Sequence, residues 1–117
     1  MRAEVRRLHS PDVLDLRGYT PPVSDDFSVL IQILAGPLGL DGEESFDIEV
    51  LTPKRLASRV AQKGPVSGCH LLIVECFDYA SIEKWIHRAV TSCEGSDWQE
   101  VAERLGRVGR WEFEDYS

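Results

Sequence analysis

The chain has 117 residues, 43% hydrophobic and 28% charged, with 20 acidic side chains against 13 basic and a formal net charge of −7. That length fills one hydrophobic core and is too short for two, so a single domain over residues 1–117 is expected. No apolar run nears the ~20 residues of a membrane-crossing helix, the start MRAEVRRLHS lacks the apolar stretch of a secretory signal, and the acidic balance repels nucleic acid and anionic lipid.

Ala3–Leu8 alternates loosely and is predicted as a first strand, closed by Ser10-Pro11. Residues 12–24, rich in Pro, Asp and Gly, form a surface connection anchored by Leu14, Leu16 and Tyr19. Phe27, Val29, Ile31, Ile33 and Ala35 recur with period two and mark a second strand. Gly36-Pro37-Leu38-Gly39 begins a turn that runs to Asp41-Gly42, a hairpin signal. Ser45–Leu51 sets Phe46, Ile48 and Val50 against Ser45, Asp47 and Glu49, so the two segments are expected to form an antiparallel hairpin with one solvated, acidic face.

Thr52-Pro53 opens a helix, with Thr as N-cap and Pro at the first helical position. It spans Pro53–Lys63, turns Leu56 and Val60 inward and stops at Gly64-Pro65. His70–Phe77 carries Leu71, Leu72, Ile73 and Val74 in a row, which suggests an interior strand apolar on both faces. Asp78 is placed to cap a second helix, with Ile82, Trp85, Ile86, Ala89, Val90 and Cys93 on one stripe. Ser96-Asp97-Trp98-Gln99 fits a capping box before a third helix that turns Trp98, Val101, Ala102 and Leu105 inward. Gly106 and Gly109 suit its exit, and Arg110–Tyr116 alternates Trp111 and Phe113 with Glu112 and Glu114 as a last strand. The order βββαβααβ describes an α+β domain: an antiparallel or mixed sheet of about five strands with three helices packed mainly on one face.

Signals for chemistry are few. The histidines are His9, His70 and His87; His70 adjoins Cys69, but no further close pair, HExxH or CxxC spacing accompanies them, so neither metal nor cofactor is expected. There is no G-x-S-x-G elbow and no phosphate loop. Asp47 and Glu49 stand about 7 Å apart on one strand face, compatible with paired-carboxylate hydrolysis, though so small a chain leaves little room for an aromatic-lined substrate groove. Cys76 and Cys93 follow apolar patterns and are expected in the core, as are Trp85, Trp98 and Trp111. Three cysteines without CxxC fit a reducing cytoplasm.

The charge is far more informative. Asp25, Asp26, Asp41, Glu43, Glu44, Asp47 and Glu49 lie between Gly18 and Pro53 without a single Lys or Arg, and the rest of the chain carries 13 acids and 13 bases that cancel. Such a surface draws cationic partners and speeds their encounter. Glu112, Glu114, Asp115 and Tyr116 form a second acidic patch ending in an aromatic, a residue type favoured at interfaces. The candidate partner-binding residues are therefore Asp41, Glu43, Glu44, Asp47, Glu49, Glu112, Glu114, Asp115 and Tyr116. Lys54, Arg55, Arg59 and Lys63 cluster on the first helix and read as solvent-facing.

Four blocks in order, AEVRRLHSPD (Ala3–Asp12), GEESFDIEVLTPKRL (Gly42–Leu56), LLIVECFDYASIEKWI (Leu71–Ile86) and W-x-E-x-A…L-x-x-x-G-x-WEFEDY (Trp98–Tyr116), resemble the immunity protein 8 family of bacterial polymorphic toxin and contact-dependent growth inhibition systems. The resemblance implies a non-enzymatic cytoplasmic protein. It would bind the C-terminal toxin domain of its own system one to one and block its active or substrate site. Toxins of such systems are often nucleases, which tend to be basic, and that matches the acidic window. The alternative reading is a small cytoplasmic hydrolase using a carboxylate and His70. A further one is an accessory domain that pairs with itself through a sheet edge. The oligomeric state is open.

Overall fold

A computed structural model describes residues 1–112. Its strands are β1 (Ala3–His9), β2 (Ser28–Pro37), β3 (Glu44–Leu51), β4 (Leu71–Ile73) and β5 (Arg110–Trp111). The helices are α1 (Pro53–Lys63), α2 (Tyr79–Thr91) and α3 (Trp98–Leu105), so the order is βββαβααβ, an α+β fold. The strands make one mixed sheet in which β1, β2 and β3 run antiparallel in sequence. One side of β3 pairs with β2 along its length. The other is divided between β4, parallel to Glu49–Leu51, and β5, antiparallel to Phe46 and Asp47.

Alternation on β2 and β3 gives the sheet two unlike faces. On the inner face Val29 lies opposite Val50, Ile31 opposite Ile48 and Ile33 opposite Phe46. All six are buried under Ile82, Ile86 and Val90 of α2 and Val101, Ala102 and Leu105 of α3. On the outer face the pairs are Leu30–Glu49, Gln32–Asp47 and Leu34–Ser45, all half-buried. Leu51 is buried yet lies apart from the inner core. Helix α1 sits on this outer side, its Arg59 paired with Glu49.

Thr52 secures the entry to α1. Fully buried, its hydroxyl accepts from Arg55 N as an N-cap and from Phe27 N, both at 3.3 Å, and thereby ties the helix start to the strand before β2.

Several expectations are corrected. His70–Phe77 is not an interior strand: β4 is three residues at the sheet edge, with Ile73 51% exposed. The parallel register sets Leu71–Ile73 beside Glu49–Leu51, the last residues of β3, so the chain after Val74, whose N–H donates to Leu51 O, runs past the end of its partner strand. Cys76 is exposed rather than core, whereas Cys93 is buried as expected. Val60 is exposed, because α1 covers the outer face and buries none of its residues fully. Trp85 is 43% exposed: the buried line of α2 runs through Ile82, Ile86 and Val90, one i, i+4 row, and Trp85 flanks it. Asp78 precedes α2 without a side-chain cap bond, and Asp97 rather than Ser96 caps α3 by accepting from Glu100 N at 2.9 Å. The expected last strand is observed over Arg110–Trp111; residues 113–117 lie outside the described residues.

Candidate partner-binding surface

The acidic window is not a uniform anionic face, because cations from elsewhere in the chain fold onto part of it. Asp26 pairs with Arg55 at 2.8 Å, Glu43 with Arg7 at 3.7 Å and Asp25 with Lys54 at 3.9 Å. Glu49 is held by both guanidinium nitrogens of Arg59 and by the Ser28 hydroxyl. These bonds, Arg59's foremost, keep its carboxyl below the ordinary carboxylate range despite the opposing effect of burial. Lys54, Arg55 and Arg59 of α1, expected to face solvent, thus neutralise one end of the window.

What remains gathers at the other end. Among the described residues Asp41, Glu44, Asp47 and Glu112 form no ion pair within 4.0 Å. Asp41 lies on the turn between β2 and β3. Glu44 accepts the indole N–H of Trp98 at 2.7 Å, which joins the start of β3 to α3. Asp47 faces outward opposite Arg110 in the β3–β5 register and accepts from the Ser45 hydroxyl at 3.4 Å. Glu112 is brought beside them: its carboxylate accepts from Ser45 N at 3.2 Å and its own N–H donates to Ser45 O at 3.1 Å. Glu112 and the start of β3, over sixty positions apart in sequence, therefore meet at Ser45. Glu114, Asp115 and Tyr116 lie outside the described residues.

The turn itself is more built than a hairpin closure requires. The Arg6 guanidinium, projecting from the irregular step in the β1–β2 register, donates to the carbonyls of Pro37 (2.9 Å), Leu40 and Gly42 (3.4 Å). Leu38 N donates to Arg2 O at 2.9 Å and Leu40 N to Pro37 O at 3.1 Å. Gly36 must lack a side chain, since a Cβ there would collide with the Gly42 carbonyl oxygen and meet the Arg6 guanidinium at 2.8 Å. At the tip Leu38 and Leu40 are each 57% exposed. Sequence reasoning treated them as turn residues; two large apolar side chains where solvent favours polar ones were the available signal.

The groups named by the hydrolase alternative also meet. Leu30, Asp47, Glu49, Cys69, His70, Leu71 and Arg110 line a concavity of ≈ 350 Å³ on the outer face. Two of the groups are already engaged there: Glu49 with Arg59 and Ser28, and the His70 ring, whose Nε2 lies 2.6 Å from Gly106 O; Asp47 accepts from the Ser45 hydroxyl at 3.4 Å. His70 has φ +62°, a left-handed conformation costly for a side-chain-bearing residue, and the Gly106 contact is what fixes its ring. No three His, Cys, Asp or Glu side chains among the described residues group to hold a metal ion. Cys93 is buried, which pushes its thiol pKa up and keeps it neutral.

The sequence model of immunity protein 8 matches residues 3–116, nearly the whole chain. The chain belongs to the immunity protein 8 family. No curated protein and no solved structure matches it. Membership implies an immunity protein that binds a cognate toxin. Among the described residues no helix of this immunity protein is long and apolar enough to cross a membrane.

Proposed function

We propose that this immunity protein binds the C-terminal toxin domain of its own system one to one, in the cytoplasm, and blocks its active or substrate site. The family match over residues 3–116 carries this reading. Its acidic docking surface comprises Asp41, Glu43, Glu44, Asp47, Glu49, Glu112, Glu114, Asp115 and Tyr116, with the work concentrated on the acids that form no ion pair among the described residues. Asp41, Glu44, Asp47 and Glu112 are the long-range attraction; Glu43 and Glu49, already paired with Arg7 and Arg59, contribute contact more than net field. The partner is accordingly basic, and a nuclease is the toxin class whose substrate site an acidic surface matches best.

The test is the association rate with the toxin domain encoded beside this chain, measured for the parent and for Asp41→Lys/Asp47→Lys. The reversed pair should associate at least tenfold more slowly at low ionic strength, the gap closing as salt rises. Equal rates at low salt would move the interface away from this end of the sheet.

A further inference from the structure

The geometry points to Leu38 and Leu40 as the apolar anchor of the complex, inserted into an apolar pocket that borders the cationic site of the toxin domain. This rests on the toxin-binding reading above and adds to it the chemistry of the partner's surface.

Single exposed apolar side chains are ordinary and need no explanation. Leu38 and Leu40 differ in two respects. They share one tip, two residues apart, each more than half exposed. And the chain holds that tip rigid: one guanidinium bridges three of its carbonyls, and Leu38 N and Leu40 N each donate to a backbone carbonyl, Leu38 N to Arg2 O at the start of the chain. Glycine at 36 lets the backbone close around that guanidinium. Immobilising a loop in advance removes the ordering cost of binding, which suits an apolar anchor whose contribution is slow dissociation. Leu14, the other strongly exposed leucine among the described residues, lies in a loop whose neighbouring apolar residues Val13 and Leu16 turn toward the core, so it offers a single side chain rather than a pair.

Charge complementarity selects the occupant. Asp41 follows Leu40 directly and has no cationic partner among the described residues, and Glu44 and Glu112 lie just beyond on the same end of the sheet. An apolar tip inside such a rim disfavours an acidic protein, a nucleic acid or a second copy of this chain, whose like-charged tip would face it. A basic protein surface with an adjoining apolar recess fits both features.

The experiment is surface-immobilised binding of the full chain to a catalytically inactive form of the toxin domain encoded beside it. The parent, Leu38→Ser/Leu40→Ser, Asp41→Asn/Glu112→Gln and Leu14→Ser are compared, each checked first for an unchanged melting temperature. The leucine variant should dissociate at least tenfold faster, with association and its salt dependence little changed, while the acid variant should show the reverse split and Leu14→Ser should match the parent. Tight parental binding with an unaltered dissociation rate in the leucine variant would overturn the anchor and leave toxin binding standing. No parental binding would overturn both. Self-association of the parent, abolished by the leucine substitutions, would reassign the tip to a contact between copies.

Discussion

The two faces of the sheet use the same alternating strands to opposite ends. On the inner face Val29, Ile31 and Ile33 of β2 and Phe46, Ile48 and Val50 of β3 are buried under α2 and α3, so those positions set stability. On the outer face the same strands present Gln32, Asp47 and Glu49, and the helix above them, α1, buries no residue fully and attaches through ion pairs. Segregation of this kind lets one face vary with a partner while the other keeps the fold.

Breaking the inner face should have the largest effect. Phe46→Ala removes a fully buried ring stacked against Trp111 at 6.2 Å and should cost about 3–5 kcal/mol in denaturant unfolding. A smaller cost is expected at the seam between the faces. Thr52→Ala removes the acceptor of both Arg55 N and Phe27 N, and about 1–2 kcal/mol should be lost, measurable by the same titration.

Smaller still is the outer-face pair. Glu49→Gln leaves Arg59 without its carboxylate at a site about a quarter exposed, and ~0.5–1 kcal/mol is expected. Because Glu49's folded pKa is depressed, its contribution is complete at neutral pH, above the unfolded value, and disappears as pH falls through the folded one. The parent should therefore lose stability below the ordinary carboxylate range more steeply than Glu49→Gln; parallel acid profiles would remove the ion pair from the account of α1. Asp41→Asn/Asp47→Asn should change stability by no more than about 0.5 kcal/mol, since neither side chain forms an ion pair among the described residues. Thiol labelling sharpens the same contrast without mutation: Cys69 and Cys76 should react quickly in the native protein and Cys93, buried with its thiol pKa raised, only slowly.

How much of this was legible in the sequence follows the range of the interactions. Period two at Val29, Ile31 and Ile33 and at Phe46, Ile48 and Val50 reports local backbone geometry, and so does Thr52-Pro53, hence strands and helix start were found within a residue or two. Leu71–Val74 misled because a run of apolar residues says nothing about whether a neighbouring strand exists or continues, and β3 ends at Leu51, opposite Ile73. Trp85 misled because a helical stripe has edges, and edge positions are wide enough to be half solvated. At the candidate surface the acids were visible in composition, but their neutralisation by Arg7, Lys54, Arg55 and Arg59 depends on which chain segments meet. The same holds for the meeting of Glu112 with Ser45 and for the Arg6 brace that turns Leu38 and Leu40 outward.

The division of labour between the faces is tested most directly by hydrogen exchange on the protein alone and in complex with the inactive toxin domain. New protection is expected in the turn and the start of β3, residues 38–47, and around 110–112, with α2 unchanged. Protection centred on α2, with the turn exchanging as in the free protein, would contradict it.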